Sequence, residues 1–427
     1  MNQQINYTNE QLEAITMCAD PTIKIACVTG QAGSGKTSIL GEAYRQAFDN
    51  LCNKFGLDPE EAIRREKDAL PFSIQLAAPT GRAAKRIEEA TSYKAMTIHR
   101  MLRFSVPEND EDKGMPAHTK MNPMPHDFIF IDEASMLTDE IRRSLIDAMK
   151  RGSVIRFFGD INQLPPIGSH SPFAVDLKKQ PSVTLTENFR SNDGIISLAD
   201  KVIKNRMPLN NEKVTIQRVV SQHGSLTVLK LAEEIDFTTD VNQIICPTNH
   251  TKHGTVNLNR SIQQRFNPNK EKITVYQRNS HDQSMIVKSF KRDDKILWTK
   301  NDYNLDLMNG TLGRVLDFDE DTGSIFISVD GRDIEIPSQM ETFNPTTGIR
   351  YTYDPRHRLD LGYAISTHKS QGSQFHTVCF VCSRSRAATR QNVYTAVTRA
   401  AERLHIINIG GSLAYALSNN TDIMKKT

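Results

Sequence analysis

Eight consecutive residues, Gly30-Gln31-Ala32-Gly33-Ser34-Gly35-Lys36-Thr37, have the composition and spacing of a loop that cradles phosphate groups. Gly30, Gly33 and Gly35 let the backbone curl, so that the N–H groups around Ser34 converge on phosphate oxygens. A helix opening at Lys36 adds its partial positive charge. In this reading Lys36 reaches the β- and γ-phosphates and the Thr37 hydroxyl holds Mg²⁺. Two carboxylates, Asp132 and Glu133, directly follow the apolar run Phe128-Ile129-Phe130-Ile131. There Asp132 would sit in the Mg²⁺ shell, and Glu133 would orient or deprotonate an attacking water. Gln163, in Phe158-Gly159-Asp160-Ile161-Asn162-Gln163-Leu164-Pro165-Pro166, could sense a γ-phosphate by a hydrogen bond lost on hydrolysis. The plainer reading of that stretch is a polar turn capped by two prolines. Together these residues describe a site for a nucleoside triphosphate with Mg²⁺, which the resemblance given below makes ATP.

Such a site needs strands ending at one edge and helices behind them. Short apolar runs alternate with amphipathic stretches, the pattern of parallel α/β sheets. Strands are expected at 23–29, 73–79, 128–132 and 154–158, with helices over 36–48, 81–90 and 138–150. Residues 105–126 interrupt the rhythm with Pro107, Gly114, Pro116, Pro123 and Pro125, the mark of an inserted hairpin or arm. The charged stretch 48–72 reads as a helical insertion. A second set of strands is expected near 226–230, 243–246, 376–382 and 404–409. Between 290 and 345, short strands separated by Gly, Asp and Asn turns read as a small antiparallel barrel.

The chain has 427 residues, too many for one core. Lys plus Arg (53) exceeds Asp plus Glu (50) by only three, so a nucleic acid would be gripped by a local basic groove rather than by overall charge. Of six cysteines, only Cys379 and Cys382 have ligand-like spacing, and they lie in an apolar run with no second pair to complete a zinc site. No apolar stretch approaches the roughly 20 residues of a membrane span. A soluble, reduced, cytoplasmic protein is expected, in a bacterium or a phage-infected host.

The set of motifs, in this order, resembles the superfamily 1B helicases, the 5′→3′ branch that includes the phage Dda and RecD-type helicases. Asn9-Glu10-Gln11-Leu12 resembles their adenine-reading motif. Ala78-Pro79-Thr80-Gly81-Arg82 and Thr97-Ile98-His99-Arg100 resemble DNA-contacting motifs of the first domain. Thr186-Glu187-Asn188-Phe189-Arg190-Ser191 resembles the fourth motif, and Lys300-Asn301-Asp302-Tyr303 resembles the lead into the barrel subdomain. Ser366-Thr367-His368-Lys369-Ser370-Gln371-Gly372-Ser373 matches the fifth motif and Tyr394-Thr395-Ala396-Val397-Thr398-Arg399 the sixth.

This resemblance implies two tandem RecA-like P-loop NTPase domains, at 1–180 and 181–427. The first would carry a pin-like insertion at about 103–126, the second an SH3-like β-barrel at about 290–357. It also implies that Gln11 bonds the adenine, that Gln371 and Gly372 border the nucleotide, and that Thr80, His99, Phe104, Thr367 and His368 meet DNA. Arg190 and Arg399 would supply positive charge to the transition state, where an arginine finger is worth about 10³–10⁵ in rate. The implied partners are single-stranded and forked duplex DNA, with single-strand-binding or replication and recombination proteins, and the implied state is a monomer. Two readings compete with a DNA motor: a non-motor P-loop NTPase, which leaves Arg190, Gln371 and Arg399 without a task, and an inactive scaffold. RNA is the alternative track.

Overall fold

Apolar runs buried along their whole length belong in the middle of a sheet covered on both faces. The computed structural model places them there. It describes residues 6–64, 70–104, 114–166, 171–189, 194–267, 269, 271–278, 284–302, 304–343 and 350–419. The chain divides into two units, one containing residues 6–104 and 115–189, the other residues 194–419.

The first unit is built on a parallel sheet of β1 (Ile25–Gly30), β2 (Ile74–Ala78), β3 (Ala95–Thr97), β4 (Phe128–Ile131), β5 (Val154–Gly159) and β6 (Ser182–Leu185), in the order β3-β2-β4-β5-β1-β6. Alternate strand residues serve opposite faces. On one face Val28, Leu76, Phe130 and Phe158 pack with α1 (Asn9–Ala19), α2 (Lys36–Lys54) and α4 (Gly81–Thr91). A short α3 (Pro59–Arg64) follows α2. On the other face Cys27, Ala77, Ile129 and Phe157 pack with α5 (Ile98–Met101), α6 (Asp139–Asp147) and α7 (Pro172–Lys179).

The second unit repeats the plan. Its parallel sheet contains β7 (Val214–Val219), β8 (Asn242–Cys246), β18 (Ala364–Ser366), β19 (Phe375–Cys382) and β20 (Ala400–Ile409), in the order β18-β8-β19-β20-β7. α8 (Gly194–Ile203), α11 (Arg390–Val397) and α12 (Ser412–Ser418) cover one face, and α9 (Gly224–Glu234) and α10 (Thr255–Phe266) the other.

Between β8 and β18 the chain leaves the sheet. It forms a ribbon of β9 (Ile273–Arg278) and β10 (Met285–Phe290), then β11 (Lys295–Trp298), β12 (Leu312–Phe318), β13 (Ile325–Val329) and β14 (Arg332–Ile336). A second ribbon, β15 (Met340–Phe343) with β16 (Arg350–Tyr353), precedes β17 (Leu359–Leu361). The five-stranded antiparallel sheet runs β14-β13-β12-β11-β17 around its own core of Ile296, Trp298, Val315, Ile327 and Leu359.

Several expectations need correcting. Residues 226–230 are helix, inside α9, because Val228 and Ala232 recur at the four-residue spacing of one buried helix face. The strand serving that part of the sheet is β7, whose mixed burial and polar Thr215, Gln217 and Arg218 hid it. The first unit does not end at 180: β6 pairs with β1, so the unit runs on through Phe189. The antiparallel module reaches Leu361 rather than 357, because β17 pairs with β11. Its strand order is linear, with no pairing of β14 to β17 among the described residues. In the 103–126 insertion, residues 105–113 lie outside the described residues. The rest is irregular: Phe104 bridges Pro116, and residues 119–122 make a tight turn. Its prolines remove the N–H donors a longer ladder would need.

All six cysteines are buried thiols, and burial raises the pKa of Cys18, Cys27, Cys379 and Cys382 to about 12.

One charge is built into the first sheet. Arg156 on β5 is fully buried and donates to the carbonyl oxygens of Cys18, Asp20, Ile23 and Ile155. It thereby ties the end of α1 to β1, directly upstream of the phosphate loop. Arg156→Ala is expected to cost about 3 kcal/mol, because it strands those carbonyls, and thermal unfolding would register it as a lowered first transition.

Candidate active site

In a sheet whose strands all run one way, every strand delivers its C-terminal residue to one edge. In the first unit that edge receives Gly30 from β1, Asp132 after β4 and Gly159 from β5. The expected phosphate loop, carboxylate pair and Gln163 segment therefore share it.

The loop is shaped by its glycines. Gly33 and Gly35 have φ of 88° and 82°, in the left-handed region. A Cβ on Gly30 would lie 2.5 Å from Ser34 Oγ and 2.9 Å from Leu185 Cβ. The 19-residue α2 starts at Lys36, so its N–H groups and dipole face the loop. Lys36 Nζ donates to the carbonyl oxygens of Gly30 (2.6 Å) and Gln31 (2.9 Å), folding back over the loop. Ser34 is 1 % exposed and its Oγ has no hydrogen-bond partner among the described residues.

Neighbouring elements hold the loop from outside. Gln11 accepts from Thr8 N–H in a capping box of α1 and donates from Nε2 to the Ser34 carbonyl at 3.2 Å. This amide therefore braces the loop, and its Nε2 carries a second N–H besides the one given to Ser34. Asn188 Nδ2 donates to the Ala32 carbonyl at 2.9 Å, and Phe189 N–H donates to that of Gly33. Glu10 accepts from the Thr186 N–H and hydroxyl, which lowers its pKa. The Thr186–Phe189 segment is thus strapped to the phosphate loop. Arg190 follows directly but lies outside the described residues.

Asp132 and Glu133 differ in setting. Burial first, and then the Glu133 charge, raise the Asp132 pKa. Glu133 has φ of 52°, rare for a residue with a side chain, and its N–H donates to Asp132 Oδ1 at 2.8 Å. Left-handed backbone at such a residue costs of order 1 kcal/mol and is often kept where it aims a functional side chain. Gln163 is 5 % exposed, and its Oε1 has no partner among the described residues.

These residues fit a magnesium nucleotide. Thr37 and Asp132 are hard oxygen donors. No group of three or more His, Cys, Asp or Glu among the described residues could hold a metal, so an ion here would rely on the phosphates for further ligands, as Mg²⁺ usually does. The orphaned Ser34 Oγ is a ready donor beside them.

The expected DNA-contacting residues divide. Thr80 N-caps α4, its Oγ1 accepting from Ala83 N–H, with its own proton left for another partner. His99 is largely buried, its ring centroid 4.8 Å from that of Phe104, and Phe104 packs on the core beneath. Thr367 lies inside the second unit. It has no exposed surface, and its hydroxyl contacts the Cys246 carbonyl and Asn392 Oδ1, so it fixes β18 to β8 and α11. His368 is partly exposed. Burial lowers the pKa of His99 and His368, so at neutral pH both are neutral imidazoles that offer hydrogen bonds rather than charge.

In the second unit, Gly372 turns the fifth stretch with φ of 72°, and Gln371 N–H donates to the His368 carbonyl. Arg399 is 3 % exposed and donates to the carbonyls of Thr395 (3.1 Å) and Ser373 (3.2 Å), joining the fifth stretch to the sixth. Sequence reasoning missed Glu10 and Asn188 as loop supports. Their contacts join residues more than 150 positions apart, and no local pattern marks them.

Comparison with known proteins agrees with this geometry. Residues 6–227 match the model of the AAA domain, and residues 361–407 that of the UvrD-like helicase C-terminal domain. The chain is 28% identical over 400 residues to the ATP-dependent RecD2 DNA helicase of Deinococcus radiodurans, covering 92% of this chain and 48% of that one. It is 26% identical to the RecBCD enzyme subunit RecD of Mycolicibacterium smegmatis, covering 92% and 70%. It therefore spans about half the length of the first of these relatives. Among solved structures, the Pif1 helicase from Candida albicans shares the fold with a TM-score of 0.59, 19% identity and 96% of each chain covered. The Bacteroides Pif1 helicase in complex with ADP-AlF3 and ssDNA does so at 0.57 and 19%, covering 94% of this chain and 92% of that one. With the family model matching more than half its length around a built phosphate loop, the chain belongs to the AAA-domain family of P-loop proteins.

Proposed function

We infer that the chain is an ATP-dependent DNA helicase that moves along single-stranded DNA, 5′→3′ by resemblance, and opens forked duplexes. The observation that carries this reading is the strap on the phosphate loop. Asn188 and Phe189 bond Ala32 and Gly33, and the chain passes from there into the second unit. A γ-phosphate that arrives or leaves at this loop acts on the segment through which the two units are connected. A non-motor nucleotide-binding protein has no need of that coupling. The resemblance to helicases along both units supports the same conclusion.

In this reading residues 1–180 supply the first RecA-like domain, extended by the strand at 182–185, and the remainder supplies the second. The antiparallel module acts as the SH3-like barrel and the 103–126 insertion as the strand-separating pin. ATP binds at the phosphate loop, where Thr37 and Asp132 would hold Mg²⁺ and so supply charge against the developing phosphate negative charge. Lys36 leaves the loop carbonyls for the phosphates. Glu133, aimed by its left-handed backbone, takes the proton of the attacking water, and Gln163 reports whether the γ-phosphate is present. Arg190 and Arg399 serve the transition state, Gln11 steadies the loop beside the base, and Gln371 and Gly372 border the nucleotide. Thr80, His99 and His368 meet the DNA. Single-stranded and forked DNA are the partners.

Strand displacement on substrates with a 5′ or a 3′ single-stranded tail tests motor activity and direction together. Displacement of the 5′-tailed substrate alone is expected, and displacement of neither would remove the motor. Glu133→Gln is expected to cut DNA-stimulated turnover by about 10²–10⁴ while equilibrium binding of ATP persists; unchanged turnover takes Glu133 out of water activation. Arg399→Ala is expected to lower kcat by about 10³ or more with little change in ATP affinity. Equal losses in both would make it a binding residue only.

A further inference from the structure

Between β8 and β18 the chain leaves the second sheet, builds the antiparallel module and returns. A module with its own core, reached through two chain crossings, has the connectivity of a hinged body. Its root has the opposite character. β11 serves two cores at once: Leu297 packs with the second sheet, whereas Ile296 and Trp298 on its other face belong to the module's own core. Gly362, just after β17, lies so close to β11 that a Cβ there would sit 2.7 Å from the Ile296 carbonyl.

Buried polar groups fix this root further. Asp294, in the turn between β10 and β11, has no exposed surface. Its Oδ1 accepts from Asn267 Nδ2 (2.8 Å) and from the Tyr363 hydroxyl (2.9 Å). Its Oδ2 accepts from Gln263 Nε2 and from the Lys291 N–H. One carboxylate of the module thereby gathers donors from α10, from the residue after α10 and from the approach to β18. The next residue, Lys295, is also fully buried, and its Nζ donates to the carbonyls of Thr239 (2.7 Å) and Asn242 (2.9 Å) at the start of β8. From the sheet side, Gln243 on β8 donates to the carbonyls of Gly362 and Tyr363, both at 3.0 Å.

A carboxylate held away from water is tolerated only while hydrogen bonds replace its hydration. Tilting the module against the sheet would part Asp294 from Gln263, Asn267 and Tyr363 together and leave the charge stranded. Networks of this kind select one arrangement.

We propose that the antiparallel module and the second sheet move as one rigid body through the ATP cycle, with Asp294 as the positioning residue that sets the angle between them. The inference rests on the helicase reading, which supplies the cycle. It adds that displacement given to the second sheet reaches the module without loss at a hinge.

The test is the distance between two nitroxide labels within the second unit, at Lys230→Cys on α9 and Asp333→Cys on β14. Both positions are exposed, and all six native thiols are buried. Pulsed electron spin resonance on the full chain with a single-stranded oligonucleotide is expected to give one narrow distance. That distance is expected to be the same without nucleotide, with ADP and with ADP–aluminium fluoride. Asp294→Ala is expected to widen the distribution and to lower the strand displaced per ATP severalfold, with DNA-stimulated ATP turnover at the wild-type rate. Asp294→Asn, which keeps an acceptor oxygen, is expected to recover most of both losses. Should Asp294→Ala not fold, Tyr363→Phe removes one donor, keeps the ring and carries the same comparison. Its ratio of seated to unseated module is expected to fall about tenfold or more, as for one lost hydrogen bond to a charged group. A wild-type distance that shifts between nucleotide states, or a wild-type distribution in the folded variants, would overturn the proposal. A wild-type chain that displaces no strand yet keeps one fixed distance would remove the helicase reading and leave the rigid root standing.

Discussion

The structure depends on one geometric demand: backbone N–H groups must converge on a point where phosphate charge will sit. Gly33 and Gly35 supply the left-handed φ this needs, and Gly30 leaves empty the space that a Cβ would contest with Ser34 and Leu185. A curled loop with converging N–H groups is poorly stable alone. It needs a rigid strand before it, a helix behind it and contacts around it. β1 is buried in mid-sheet, α2 provides the backing, and Gln11, Asn188 and Phe189 take up the loop carbonyls. The carbonyls of Ala32, Gly33 and Ser34 are thus held from outside the loop.

The two units use charge differently. In the first, cationic and anionic groups gather at the strand ends, where burial raises the Asp132 pKa and makes a divalent ion the natural relief for it. In the second, Arg399 is buried and tied to backbone carbonyls of its own unit. A guanidinium held by neutral acceptors keeps its full charge and a fixed direction.

Much of this was legible in the sequence because the relevant signals are local. The glycine loop, the Phe128–Ile131 strand with its carboxylates, and the alternating apolar runs each sit within a dozen residues. What failed depended on distance. β6 looks like part of whatever follows it, and only its pairing with β1 assigns it to the first sheet. Residues 226–230 are apolar enough for a strand, and burial on a single helix face decides otherwise. Thr367 sits in the stretch matched to the fifth motif, and nothing local shows that its hydroxyl meets Cys246 and Asn392, 121 and 25 positions away. Side-chain direction is set by packing, and packing is what one sequence leaves open.

The cysteines carry a practical consequence. All six thiols lie inside strands or helices and are buried, and for Cys18, Cys27, Cys379 and Cys382 burial places the thiolate far from reach at neutral pH. Maleimide chemistry reacts with thiolate at accessible sulfur. The native chain is therefore a quiet background for labelling, and a pair of engineered surface cysteines, one per unit, would carry donor and acceptor dyes without first stripping out the natural ones.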